Sequence, residues 1–310
     1  MIVTVTLNPV LHVDYAADKI TPGASNPVRR VRYRAGGRGL AVARVLNTFG
    51  HDVVAAGLLG GSAGELIRNE LARAGVPAQF TPITGESRRM VTVSDESDGV
   101  ATSFAEPAPY ITTEELGRLA SDYLGLLADA TAVVLCGSLP EGLPPEIYGS
   151  FVSYAAGASV PVILDAGGSA LAHGAARRPA LVVPDLPEQE QEVTAVVDVA
   201  AEPAGEPSAK PSSVALLSQT GVRILSAAGE WRVAFGRRAA LGGQPGEAFR
   251  DALVAGFVPG IALAWSWPDT LRHAVALAQA WSADGELDVT AYEEALTAVN
   301  VQKLPSGYSS

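Results

Sequence analysis

The strongest constraint on this chain is an alternation of short apolar runs with longer stretches of helical period. Ile2–Leu7, Val53–Leu59, Ala132–Cys136, Val160–Leu164, Leu181–Val183 and Val214–Leu217 read as buried strands. Helical patterns fill the gaps at Leu40–Phe49, Gly64–Ala74, Glu114–Leu127 and Pro145–Ala156. Ser62 with Glu65, and Thr112 with Glu115, carry the hydroxyl-to-carboxylate spacing of a capping box. Gly50 and Gly75 supply helix stops. Such alternation predicts an α/β fold with a mostly parallel sheet covered by helices on both faces.

Two segments break the pattern. His12–Tyr15 with Val28–Arg34, and Arg88–Ser94 with Val100–Phe104, have the interleaved polar residues of half-buried strands. The turn Asp95–Gly99 ends in Asp-Gly, a hairpin signal. Hairpins cannot sit within a parallel sheet, so residues of about 11–34 and 87–105 are expected to form a small antiparallel β lid. The lid is then an insertion in a single domain covering 1–310. Residues 200–213 are rich in Pro, Ala, Glu and Ser and read as a loop. The last third is helical at Arg250–Trp265, Thr270–Ser282 and Ala291–Val299.

Charge and cysteine usage narrow the partners. With 22 Lys plus Arg against 33 Asp plus Glu, the net charge is −11. Nucleic acid is therefore an unsuitable partner, since binding it relies on neutralising phosphates with cations. A small phosphorylated molecule needs only a few local basic groups. Cys136 is the single cysteine, which rules out an intramolecular disulfide and favours a cytoplasmic setting. MIVTVTLNPV lacks the features of a signal peptide, and no run is apolar enough for a membrane helix.

Gly36-Gly37-Arg38-Gly39 leads directly into a helix, an arrangement that suits an anion or a polar oxygen at the helix N-terminus. It lacks the spacing of a dinucleotide fingerprint and the Lys-Ser/Thr of a P-loop. By itself it is equally well a tight turn. It occurs, however, in a series: Thr6-Leu7-Asn8-Pro9, Ala35–Gly39, Cys136-Gly137-Ser138-Leu139-Pro140, Val162–Asp165 and Pro184-Asp185-x-x-Glu188. In that order the motifs resemble the 1-phosphofructokinase and tagatose-6-phosphate kinase branch of the PfkB family of ribokinase-like sugar kinases. The resemblance runs from residue 1 to about 300. It implies ATP-dependent phosphoryl transfer to a sugar or phosphosugar hydroxyl, with the sugar under the lid. It places the general base at Asp251 and substrate contacts at Gly36, Gly37, Arg38, Arg88 and Ser138. Nucleotide contacts fall on Asp185, Glu188, Ser218, Gly221 and Arg250, with Glu188 and Asp185 holding Mg²⁺ through water. A lid-mediated homodimer is a further implication.

Several positions depart from the family pattern. Where Gly-Ala-Gly-Asp is expected, the chain reads Ala248-Phe249-Arg250-Asp251. The glycines let backbone N–H groups converge on phosphoryl oxygens. Losing one such donor costs about 3–4 kcal/mol of transition-state stabilisation. Glu247–Arg250 is also good helical sequence preceded by Pro245, so the helix is expected to start a turn early and fill the anion site. Alternatively, a turn at Gly246 loops the extra residues out, and Arg250 itself supplies positive charge. The substrate aspartate of the lid falls on His12, leaving Asp14 on the same strand face either as its substitute or as an exposed lid residue. The motif lysine is Arg38, which also suits a phosphate. The motif asparagine is Ala41, and the lid asparagine is Met90. The nucleotide loop reads Leu216-Leu217-Ser218-Gln219-Thr220-Gly221, with its first glycine lost. Two readings follow. One is a sugar kinase with Asp251 as base; the other is an inactive homologue that binds a sugar phosphate or a protein partner.

Overall fold

The computed structural model describes residues 1–185, 213–218, 220–235, 246–282 and 284–305. In chain order the elements are β1 (Ile2–Thr6), β2 (Val10–Ala17), β3 (Arg30–Gly36), α1 (Arg38–Thr48), β4 (Val53–Leu59) and α2 (Gly61–Arg73). Next come β5 (Ala78–Pro82), β6 (Arg88–Asp95), β7 (Ala101–Ala105), α3 (Thr113–Leu127), β8 (Ala132–Cys136) and α4 (Ile147–Gly157). These are followed by β9 (Val162–Ala166), α5 (Gly168–Ala175), β10 (Leu181–Pro184), β11 (Ser213–Leu217), β12 (Gly221–Ser226) and β13 (Gly229–Ala234). The chain finishes with α6 (Glu247–Ala262), α7 (Trp267–Ala280), α8 (Val289–Ala298) and β14 (Gln302–Leu304). Glu188, Pro245 and residues 200–212 of the Pro-rich segment lie outside the described residues.

A ten-stranded sheet runs β14-β13-β12-β11-β10-β9-β8-β1-β4-β5. From β11 to β5 every neighbouring pair is parallel; β12, β13 and β14 add an antiparallel edge. The parallel strands are buried on both faces, which is why their sequences are continuous apolar runs rather than alternating ones. One core layer packs α1, α2, α6 and α7 against the sheet through residues such as Leu40, Ile67, Phe257 and Leu271. The other packs α3, α4 and α5 through Tyr123, Phe151 and Leu171. No helix among the described residues is long and apolar enough to cross a membrane.

The two hairpins form a separate four-stranded sheet, β3-β2-β6-β7. Each hairpin is antiparallel, and the two meet along a parallel contact between β2 and β6. Because β2 follows β1 and β6 follows β5, this sheet springs from the C-terminal ends of the main strands. Ligands of open α/β sheets bind at that edge.

Helix ends repay attention because one expectation fails there. Thr112 and Glu115 form the predicted capping box on α3. Ser62 does not cap α2, whose N-cap is Gly60. Instead the Glu86 carboxylate reaches across from the loop before β6 and accepts the N–H groups of Ser62 and Ala63 at 3.1 and 2.7 Å. An acid at the positive helix end does the work expected of Glu65.

On α7, His273 is buried against Phe49, Trp265 and Tyr292, and its Nδ1 lies 2.7 Å from the Tyr292 hydroxyl. Burial, helped by nearby His51, lowers its pKa to about 4. A histidine depressed in this way contributes stability that is complete above the unfolded value near 6.5 and is lost as pH falls toward 4. Urea unfolding at pH 7 and pH 5 is expected to give lower stability at pH 5, and His273→Phe to flatten that difference.

Candidate active site

The strand ends Thr6, Cys136, Asp165 and Pro184 lie side by side in β1, β8, β9 and β10, and the N-termini of α1 and α6 approach them. At α1, Gly37 is the N-cap with φ 121°, a conformation that side chains rarely tolerate. A Cβ at Gly39 would collide with Thr6, and one at Gly36 would collide with the His12 imidazole. These glycines are therefore required by the chain's own packing. The His12 ring covers Gly36 where a sugar would approach the backbone. Burial and then Arg34 lower the His12 pKa, favouring the neutral ring.

Helix α6 starts early. Gly246 is its N-cap, and the Arg250 N–H donates to the Gly246 carbonyl at 3.1 Å. Asp251 is the fifth helical residue, so its N–H belongs to the helical ladder as well. The amides that should converge on a phosphoryl group at these two positions are spent inside the helix. Pro is absent from the described part of this turn, and Gly246 takes an extended φ/ψ of −59° and 159° in front of Glu247.

Arg250 closes what remains of the space. Its guanidinium donates through Nη2 to Asp165 Oδ1 at 2.6 Å and to the carbonyls of Pro184 and Val183 at 2.9 and 3.2 Å. Asp185 lies 3.5 Å from the same nitrogen. Arg38 pairs with Asp185 and stands 3.4 Å from Asp165. Two guanidiniums and two carboxylates form a closed cycle tying α1, β9, β10 and α6 together. Burial alone would depress the Arg38 pKa, but Asp165 and Asp185 outweigh it and hold the cation. Asp165 is fully buried, so breaking its pair would leave an uncompensated charge.

Asp251 is on the same helix but outside the cycle. It is 8% exposed, and its Oδ1 has no hydrogen-bond partner. Burial, reinforced by Asp165, pushes its carboxyl well above the ordinary range. It lines a cavity of about 350 Å³ with Ala41, Arg34, Arg44 and Glu247.

The remaining predicted residues are dispersed around this centre. Asp14 shares a lid face with His12, and the register sets it opposite Arg32. Arg88 is half-buried at the start of β6, its Nε buried without a partner; burial lowers its pKa. Ser138 is exposed and accepts from Asn8 Nδ2 at 3.2 Å. Ser218 closes its own turn, its N–H and Oγ both donating to the Gly221 carbonyl. A Cβ at Gly221 would collide with Val233, so this glycine serves the β12–β13 pairing.

Residues missed from the sequence are Asp165, Arg34, Arg44 and Glu247. Asp165 was legible as the one charge ending an otherwise apolar strand. Arg44 lies three residues after Ala41, on the same helix face.

Among the described residues the Arg250 N–H is taken up in α6, its guanidinium is paired with Asp165, and the Asp185 carboxylate is paired with Arg38.

An open, mostly parallel sheet between helix layers, with a β lid at its C-terminal edge, defines the ribokinase-like class of sugar kinases. Among solved structures, Escherichia coli phosphofructokinase-2 in complex with fructose-6-phosphate superposes with TM-score 0.77 at 23% identity, covering 96% of this chain and 98% of that one. A carbohydrate kinase from Agrobacterium tumefaciens gives TM-score 0.72 at 17% identity, covering 98% and 99%. The model of the pfkB family of carbohydrate kinases matches residues 7–204, and the chain belongs to that family. It is similar to tagatose-6-phosphate kinase of Staphylococcus epidermidis, 34% identical over 193 residues. That match spans 62% of this chain and 62% of its relative.

Because Asp165 is buried and paired, Arg250→Ala is expected to destabilise the protein by about 3–5 kcal/mol. Arg32→Ala, at an exposed position, is expected to change stability by less than about 0.5 kcal/mol. Urea unfolding of both variants checks the contrast.

Proposed function

We propose that this protein keeps the pfkB sugar-kinase scaffold as a receptor for an anionic sugar and has lost efficient phosphoryl transfer. One observation carries the reading: α6 begins at Glu247, so the Arg250 and Asp251 amides are spent in the helix and the Arg250 side chain is paired with Asp165. Electrostatic stabilisation of the transferring group is the largest contribution a kinase makes. Here the Arg250 N–H is committed to the helix.

Binding is the part of the ancestral task that the residues still support. Arg88 has no ion-pair partner among the described residues, and Arg34 likewise has none. Both stand on the lid face that carries His12 and Asp14, since the register aligns Arg88 with Val10 and Arg34 with His12. The relatives act on or bind hexose phosphates, tagatose 6-phosphate and fructose 6-phosphate by name. A hexose phosphate is thus the natural ligand class for this reading. The opposite lid face supports self-association: Tyr33 and Phe104, 43% and 60% exposed, fall in one row across the sheet with Val13 and Val91. Asp251 facing a cavity is the feature that favours a working kinase instead.

Titration calorimetry with Mg·ATP is expected to show no binding, while tagatose 6-phosphate or fructose 6-phosphate binds with or without nucleotide. A coupled assay for ADP release is expected to stay at background with both sugars. Sustained turnover that disappears in Asp251→Asn would establish the kinase and overturn the receptor reading.

A further inference from the structure

The cavity beside Asp251 has a polarity that a plain sugar phosphate does not use. Its walls come from β3, α1, the end of α2, the start of α6 and the turn after α7. Arg73 and Glu70 at the α2 rim pair with each other at 2.6 Å. The remaining charges are segregated. Arg32, Arg34 and Arg44 stand on the β3 and α1 side; Glu247, Asp251 and Asp284 stand on the α6 and α7 side. No ion pair joins the two groups among the described residues. The guanidiniums are close enough to oppose one another: after burial, Arg34 is the main influence lowering the Arg44 pKa. Arg44 is held in place by donating to the Ala35 carbonyl at 2.7 Å.

The facing wall has a buried group lacking its partner. Asp251 is buried, with 8% of its surface exposed, and its Oδ1 meets no donor. Unsatisfied buried carboxyl oxygens are costly, and a ligand N–H supplies what is missing. Trp281 also lines the cavity, and an indole is a favourable neighbour for an ammonium group. Three guanidiniums lining one wall suit a phosphate dianion better than a carboxylate, through charge-assisted and bidentate contacts.

We infer that this cavity binds a zwitterionic sugar, an amino sugar carrying a phosphate. The phosphate lies against Arg32, Arg34 and Arg44, and the ammonium lies among Glu247, Asp251 and Asp284 over Trp281. The inference rests on the receptor reading above only in taking a phosphosugar as the ligand class; the choice of an amine comes from the acidic wall. It also gives Ala41 a purpose, since the short side chain leaves the floor of the cavity open.

The experiment compares glucosamine 6-phosphate, glucose 6-phosphate and glucosamine by calorimetry on the full chain at low salt. The amino sugar phosphate is expected to bind at least about tenfold more tightly than either of the others. The double substitution Glu247→Gln with Asp284→Asn, both at exposed positions, is expected to erase that preference and leave glucose 6-phosphate affinity within about threefold. Arg34→Ala is expected to weaken both phosphates together. Equal affinity for the two phosphates overturns the inference and leaves the receptor reading standing. A preference that survives the double substitution overturns it too, because the amine is then read elsewhere. Failure of both phosphates to bind overturns the inference, while the receptor reading stands or falls with tagatose 6-phosphate and fructose 6-phosphate.

Discussion

Everything at the strand ends depends on one closed cycle of charge, Arg38 and Arg250 against Asp165 and Asp185. Each element that borders the site contributes one member: α1, α6, β9 and the end of β10. Asp165 has no solvent, so its charge is tolerable only because two guanidiniums and their fixed positions compensate it. The cycle is neutral as a whole. Every residue in it is of a type a kinase could use, and here each is paired with another member of the cycle.

The conformation of α6 and the cycle require each other. A helix that begins at Glu247 rather than a turn later carries the Arg250 side chain down onto β9 and β10, where Asp165 and two carbonyls receive it. Without those acceptors an arginine buried to this degree would be a severe penalty. Without the arginine, Asp165 would hold only the more distant Arg38. Burying Asp251 beside this pair raises its pKa for the same reason: the nearby cations are already committed, so desolvation and Asp165 prevail.

Much of this was legible before any coordinates, and the divisions have physical causes. The parallel strands are readable because they are buried on both faces; Val53–Leu59 and Ala132–Cys136 agree to the residue. Val160–Leu164 begins two residues too early because Pro161 lacks the N–H for the ladder, so pairing begins at Val162. Thr112 was legible because its cap is local, whereas the true cap of α2 comes from Glu86, a contact that spacing near Ser62 cannot reveal. In the site, the early start of α6 followed from helix propensity, one of two conformations the residues allowed. The destination of Arg250 did not, since a guanidinium's partner 85 residues away is a property of the assembled sheet. Glu188, expected to hold metal, lies outside the described residues.

Losses on the sugar side and on the phosphoryl side look independent in the sequence, yet they meet in one volume. His12 fills the space over Gly36, and Ala41 vacates space on the opposite side of α1's first turn. Asp251, denied its place at the helix start, lines that vacated space rather than the phosphoryl position. The lid strand β3 supplies Arg32 and Arg34 from above, the same strand whose Gly36 closes against His12. In the receptor reading a ligand lies away from the strand ends and toward α1 and α6. Substitutions that would be simple damage in a kinase become consistent with one another once the polar wall of the cavity, and not the nucleotide, is what the ligand must face.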